Sequence, residues 1–229
     1  MPHLADSADP ADRDRDARAR DARARDVVIA IIPVGSLDGA KSRLGAVLDA
    51  EERHALAVSL ARRAFAAAVA APSIADVFVI TPDDEVRAIA LELGARPIRQ
   101  RTSGLNDGLR EARAEALAAG ADAILILPID LPRITPEDIE AVVAPLQLGA
   151  RPMVVIVPDR HGRGTNALVL APPDAIDVCF GGDSRSAHAG AAVAAGARLV
   201  ELGGPIRLDL DTPDDLVLAE SADPELARG

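Results

Sequence analysis

Three aspartates stand where chemistry could be done. Asp130 follows the apolar run AILILP at 123–128 and is itself followed by Leu131 and Pro132. A carboxylate at the end of a buried strand can hold a metal ion or simply open a turn. Asp209 and Asp211 stand two apart in LDLDTPDDL, a spacing that on a strand turns both to one side. Paired carboxylates repel unless a cation or solvent relieves them. The plainer reading is an edge pair with Asp211 capping the helix that starts at Thr212-Pro213. The opposite charge comes from PVGSLDGAKSRL (33–44), where Lys41 and Arg43 follow two glycines. Backbone N–H groups at a helix start plus point charges suit a phosphate, although the spacing is not that of a Walker A loop. Together the three carboxylates and this loop describe a Mg²⁺–triphosphate site, because Mg²⁺ takes one or two carboxylates plus phosphate oxygens.

Two further loops, PDRHGRGTNAL (158–168) and FGGDSRSAH (180–188), each combine glycine with a hydroxyl residue. Such loops suit a second phosphate or a carboxylate. His161 and His188 have no Cys or His partner nearby and read as surface residues rather than ligands. Cys179 precedes Phe180 in an apolar segment and reads as a core residue. No Ser–His or Cys–His pair suggests a covalent intermediate.

These segments need a scaffold, and the chain alternates strand and helix signals to provide one. VVIAIIP (27–33), VFVIT (77–81), ARPI (95–98), AILILP, MVVIVP, TNALVLAP and RLVEL read as strands, and IRLDLDTPDDLVLAE as a strand running into a helix. Helices are expected over 50–71, from DDEVRAIALELG to Gly94, from LNDGLREARAEALAAG to Gly120, over TPEDIEAVVAPL with Thr135 as cap, and near 184–196. The pattern predicts an α/β sandwich on a mostly parallel sheet, with an antiparallel hairpin near 153–170 making it mixed. In such sheets ligands bind beyond the carboxyl ends of strands, which is where the polar segments fall.

Composition narrows the chemistry. The 229 residues include three Phe, no Tyr and no Trp, so the core is built from Ala, Val, Leu and Ile and offers no aromatic stacking platform. A formal charge of −11 argues against a general polyanion binder such as a nucleic-acid protein. Any bound anion must be held locally. One cysteine excludes an internal disulfide framework. With no apolar run near the roughly 18 residues of a membrane span and no signal-peptide pattern, a cytoplasmic protein is expected. Residues 1–26, near-alternating Asp, Arg and Ala, read as a disordered charged tail, and 27–229 as a single domain.

IPVGSLDGAKSRL, SGLNDGL, LPIDLP, GRGTNALVL, FGGDSRSAH and LDLDTPDDL occur in this order. Together they resemble the guanylyltransferases of coenzyme F-420 biosynthesis, the phosphoenolpyruvate or 2-phospho-L-lactate guanylyltransferase family, over residues 27–220. The resemblance implies a three-layer Rossmann-like nucleotidyltransferase fold of the GT-A type. It implies GMP transfer from GTP to the phosphate of a small phospho-acid, with Mg²⁺ on Asp130, Asp209 and Asp211. Lys41 and Arg43 match the segment that meets the triphosphate, and with Asp130 form the expected catalytic set. Asn106 matches a nucleotide-side position. Thr165, Gly181 and Ser184 fall where family members hold the acceptor. Phosphoenolpyruvate is the favoured acceptor, with 2-phospho-L-lactate and 3-phospho-D-glycerate as alternatives. A molybdopterin or sugar-phosphate nucleotidyltransferase and a non-catalytic nucleotide-binding module are the more distant readings. The chain departs from the family at Gly35, where lysine is usual, and at Asp183, Arg185 and Ala187 in the acceptor loop. GTP and a phospho-acid are the expected partners, without nucleic acid or membrane, and a homodimer is compatible.

Overall fold

The computed structural model describes residues 26–222. The charged tail, apart from Asp26, therefore lies outside the described residues. Seven strands form one sheet: β1 (Val28–Pro33), β2 (Ile74–Thr81), β3 (Arg96–Arg99), β4 (Ala123–Ile126), β5 (Met153–Pro158), β6 (Thr165–Ala171) and β7 (Arg198–Glu201). Their spatial order is β3-β2-β1-β4-β6-β5-β7. Only β6 runs against its neighbours β4 and β5; the other pairings are parallel. The sheet is thus mixed and mostly parallel, with the expected hairpin formed by β5 and β6.

Among the described residues five α-helices connect the strands and a sixth follows the last of them: α1 (Ala50–Ala70), α2 (Asp84–Glu92), α3 (Leu105–Ala118), α4 (Pro136–Val143), α5 (Ser184–Ala194) and α6 (Pro213–Ala222). Their starts follow local chemistry. Asp49 and Glu52 close a capping box on α1, and Thr135 and Asp138 close one on α4, with Pro136 in its first turn. Asp83 caps α2 by accepting from the N–H groups of Glu85 and Val86.

Side chains alternate across each strand, so every buried strand feeds two cores. On one face Ala30 and Ile32 of β1 join the apolar sides of α1, α2 and α4; on the other, Ile29 and Ile31 join α3 and α5. Helix, sheet and helix make the three layers. Ala positions such as Ala57, Ala61 and Ala64 let α1 lie close to the sheet, which is how a core almost free of aromatics closes. Phe65 and Phe78 are fully buried. No helix among the described residues is long and apolar enough to cross a membrane.

One expected strand is absent. Residues 206–211 begin in a 3-10 turn, Pro205–Arg207, and continue without a ladder. Ile206 and Leu210 are buried all the same. The alternation thus reports burial, not strand pairing. The segment crosses the carboxyl end of β4, where the Leu210 N–H reaches the Asp130 carbonyl at 2.9 Å.

Candidate active site

That single backbone bond brings the distant carboxylates together, because it sets Asp209 and Asp211 on either side of a buried leucine beside Asp130. The charge they share is met by Lys41. Its ammonium lies 3.2 Å from Asp211 Oδ1 and 3.6 Å from Asp130 Oδ2, with the side chain only 9% exposed. Lys41 is the one described non-glycine residue with positive φ, at 53°. A left-handed conformation costs an L-residue about 1–2 kcal/mol, so the surrounding contacts must hold it there. Arg43 Nη1 also approaches Asp211, at 3.4 Å, but its side chain is 75% exposed. An ion pair so open contributes at most ~1 kcal/mol. Lys41 is the fixed cation of the cluster, and Arg43 is free to turn to a ligand.

Burial pushes the Asp130 carboxyl above its ordinary range, Lys41 works against the rise and Asp211 adds to it. Asp209 is also pushed up, first by burial and then by Asp130, Asp211 and Asp159. Its Oδ1 is buried with no hydrogen-bond partner. Among the described residues no three His, Cys, Asp or Glu side chains are gathered so as to hold a metal ion by themselves. The three aspartates adjoin, and two of them converge on Lys41.

Asp211 does not cap the helix behind it. The Thr212 hydroxyl accepts from the Asp215 N–H at 3.4 Å, and Asp215 Oδ2 accepts from the N–H and hydroxyl of Thr212, both at 2.7 Å. Asp215 also takes the Asp211 N–H and pairs with Arg160 at 2.6 Å. Burial opposes its ionisation, yet the Thr212 and Asp211 donors and Arg160 hold its carboxyl below the ordinary range. With Asp215 satisfying the backbone, the Asp211 side chain is released to the site.

The loop carrying Lys41 is fastened at its far end. Asp83 Oδ2 accepts from the Leu37 N–H at 2.9 Å and from the Ser36 hydroxyl at 3.3 Å, while Oδ1 caps α2. Asp83, with no charged partner of its own in the motif, is a positioning residue that spacing could not reveal.

Because β6 is antiparallel, its first residue lies at the same edge as the last residues of β4 and β5. Thr165, first in β6, is thereby delivered to the Asp130 end of the sheet, where it pairs with Pro158. The loop before α5 is tied to it by the Arg185 N–H, which donates to the Arg163 carbonyl at 3.0 Å. Gly181 in that loop has φ +156°, a conformation L side chains rarely adopt, and Ser184 is buried at the first position of α5. Thr165, Gly181 and Ser184 are thus brought to one region.

Asn106 is tied to a loop 74 residues away, and two expectations, on His188 and on Cys179, are corrected. Asn106 donates from Nδ2 to the Phe180 carbonyl (3.0 Å) and accepts the Phe180 N–H (2.8 Å). Through these two bonds it anchors the loop at Phe180 to α3. His188 is fully buried, not a surface residue. Cys179 is exposed, not core; the backbone turn that gives its N–H to His188 Nε2 carries its side chain outward. His161 is exposed as expected.

A separate cavity of about 420 Å³ opens beyond β1 and β2, lined by residues including Val34, Gly35, Pro82, Gln100, Ser103 and Gly104. Gln100 Nε2 donates to the carbonyls of Thr102 (3.0 Å) and Gly104 (2.9 Å). Glu111 holds the same loop by accepting the N–H groups of Arg101 and Thr102. Gly108 makes room for the Gln100 amide, since a Cβ there would lie 2.8 Å from it.

A mixed sheet in this order, with its acidic and basic loops at one edge, defines a nucleotidyltransferase-type α/β fold. A nucleotidyl transferase from Methanothermobacter thermautotrophicus superposes with a TM-score of 0.65 at 17% identity, over 88% of this chain and 98% of that one. Glucosyl-3-phosphoglycerate synthase from Mycobacterium tuberculosis, solved with Mn²⁺, uridine diphosphate and glucosyl-3-phosphoglycerate, superposes with a TM-score of 0.59 at 14% identity, over 90% and 80% of the two chains. At these identities the likeness is one of fold. The sequence goes further: residues 28–219 match the guanylyl transferase CofC-like family, and the chain belongs to it. A phosphoenolpyruvate guanylyltransferase from Sphaerobacter thermophilus is 44% identical over 189 residues, 82% of this chain and 90% of its own.

Proposed function

We propose that the protein transfers GMP from GTP to the phosphate of phosphoenolpyruvate, giving enolpyruvoyl-2-diphospho-5′-guanosine and pyrophosphate in coenzyme F-420 biosynthesis. The observation that carries this reading is the Lys41 ammonium held between Asp130 and Asp211 at the edge that also carries Thr165. Family membership supports the nucleotide and the acceptor class.

An acceptor phosphate oxygen attacks the α-phosphorus of GTP, and the bond to the bridging oxygen of the β-phosphate breaks. The attacking group is already ionised, so no general base is required. The barrier is repulsion between two anions and their misorientation. Lys41 and Arg43 would draw the triphosphate and stabilise departing pyrophosphate. Thr165, Gly181 and Ser184 would hold the acceptor, the last two beside the N-terminus of α5, where N–H groups favour an anion. The cavity bounded by Gly35, Gln100 and Gly104 is assigned to guanine, read by backbone and amide groups because no aromatic lines it.

Asp130 and Asp211, which share Lys41, supply the carboxylate oxygens a hard divalent cation takes alongside phosphate oxygens, and Asp209, whose buried Oδ1 has no hydrogen-bond partner, stands beside them. Mg²⁺ there would neutralise phosphate charge and align the two substrates. A pyrophosphate-release assay with GTP and each of phosphoenolpyruvate, 2-phospho-L-lactate and 3-phospho-D-glycerate, followed by mass spectrometry, tests the reading. Turnover with phosphoenolpyruvate is expected; release with none of the three overturns it.

A further inference from the structure

His188 has no part in the transfer chemistry above, yet it is the one buried imidazole among the described residues and touches Thr165 directly. Its Nε2 accepts the Cys179 N–H at 3.0 Å. Its Nδ1 lies 3.2 Å from Thr165 Oγ1. These contacts fix the tautomer: a backbone N–H can only donate, so Nε2 carries no proton, and in the neutral ring the proton is on Nδ1. Nδ1–H then donates to Thr165 Oγ1. A hydroxyl that receives one hydrogen bond still has its own proton to give, and no other side-chain contact of this hydroxyl is seen among the described residues.

We propose that His188 is the positioning residue of the acceptor subsite, locked by the Cys179 N–H as its Nδ1–H tautomer so that the Thr165 hydroxyl keeps its own proton to donate toward an anionic oxygen of the phospho-acid. The proposal rests on the acceptor assignment of Thr165 above. Phe180 closes the ring on its other side, edge-on with centroids 4.9 Å apart. Asn106, bonded at both ends to the Phe180 backbone, fixes that segment in turn. Burial pushes the imidazole down to about 4, so it is neutral at physiological pH. Protonating Nε2 would set two donors against each other at Cys179. The chain Cys179 N–H, His188, Thr165 O–H therefore has one polarity, and it ends on a donor. An ionised phosphate or carboxylate oxygen, which can only accept, matches that end.

Two measurements on the full-length protein test this. Long-range ¹H–¹⁵N NMR of the imidazoles, assigned by comparison with His188→Asn, is expected to show protonated Nδ1 and bare Nε2 at neutral pH; a protonated Nε2 overturns the proposal. Steady-state kinetics of His188→Leu and His188→Asn form the second arm. Loss of a neutral hydrogen bond is worth about tenfold, so His188→Leu should raise the acceptor KM about tenfold and leave the GTP KM unchanged. His188→Asn, whose amide N–H can replace the Nδ1 donor, should recover most of the loss. Thr165→Val should weaken the acceptor as His188→Leu does, and the double variant should be no worse than either. Unchanged acceptor KM in folded His188→Leu, or GTP and acceptor KM rising together, overturns the role of His188 while leaving the activity standing. Wild-type protein that transfers GMP to no phospho-acid instead overturns the activity, and the acceptor assignment with it.

Discussion

Lys41 Nζ and Asp211 Oδ1 are 3.2 Å apart although 170 residues separate them in sequence, and the lysine reaches its partner from a left-handed backbone. A tethered ammonium beside two carboxylates does part of what a bound cation would do. It offsets their repulsion without hydrolysable substrate present, and it stands next to the proposed metal ligands. Lysine and divalent cation thus compete for the same negative charge.

Lys41→Met should therefore lower thermal stability without divalent cations and make the protein more responsive to them. A ligand at one hundred times its dissociation constant stabilises by about 2.7 kcal/mol, which at this chain length is several degrees in Tm. Melting curves with EDTA and with Mg²⁺ should show a larger Mg²⁺-dependent rise in Lys41→Met than in wild type. An equal rise in both would separate the lysine from the metal site.

Asp209 is held at a cost, with a buried oxygen unpartnered and its carboxyl pushed up by burial and neighbouring aspartates. Asp209→Asn should raise stability by about 0.5–2 kcal/mol, as relief of functional strain commonly does, and lose activity at least a hundredfold. Asp130→Ala and Asp211→Ala should lose as much activity with the fold intact. Circular dichroism melts beside pyrophosphate release check all three; near-normal turnover in Asp130→Ala and Asp211→Ala would displace the metal site.

Gly108→Ala should act on the nucleotide alone. The added methyl meets the flexible end of Gln100, so the fold survives, but the amide leaves the Thr102 and Gly104 carbonyls that shape the cavity. The GTP KM should rise about tenfold with the acceptor KM unchanged. The opposite split would move guanine elsewhere.

His188 predicts a pH window for stability. Its imidazole titrates near 6.5 when unfolded and at about 4 in the fold, so the unfolded chain binds the extra proton between those values. Stability is then complete above 6.5 and falls as pH drops towards 4, by up to ~3 kcal/mol at about 1.4 kcal/mol per pH unit. Asp130 and Asp209, both pushed up, oppose the trend by shedding repulsion as they protonate. The difference between wild type and His188→Asn isolates the imidazole: chemical denaturation at pH 7 and 5 should show the variant losing less.

Much of this was legible because its causes are local. Thr135 with Asp138 three residues on makes a cap wherever it occurs, and Pro136 fits the first turn without any partner. The apolar runs at 28–33 and 123–126 are strands because a segment buried on both faces must be apolar throughout. The residue types at Lys41, Asp130, Asp209, Asp211 and Thr165 likewise told which charges and donors were available. The sequence could not show what each side chain meets across the chain. Asn106 spends its amide on Phe180, 74 residues away, and His188 on Thr165, 23 residues away. Alternating Ile206, Leu208 and Leu210 look like a strand, yet Leu210 finds one carbonyl instead of a ladder. Periodicity and capping are written into neighbouring residues; the tautomer of an imidazole and the partner of an ammonium depend on which distant groups the packed sheet edge brings within 3–4 Å of them.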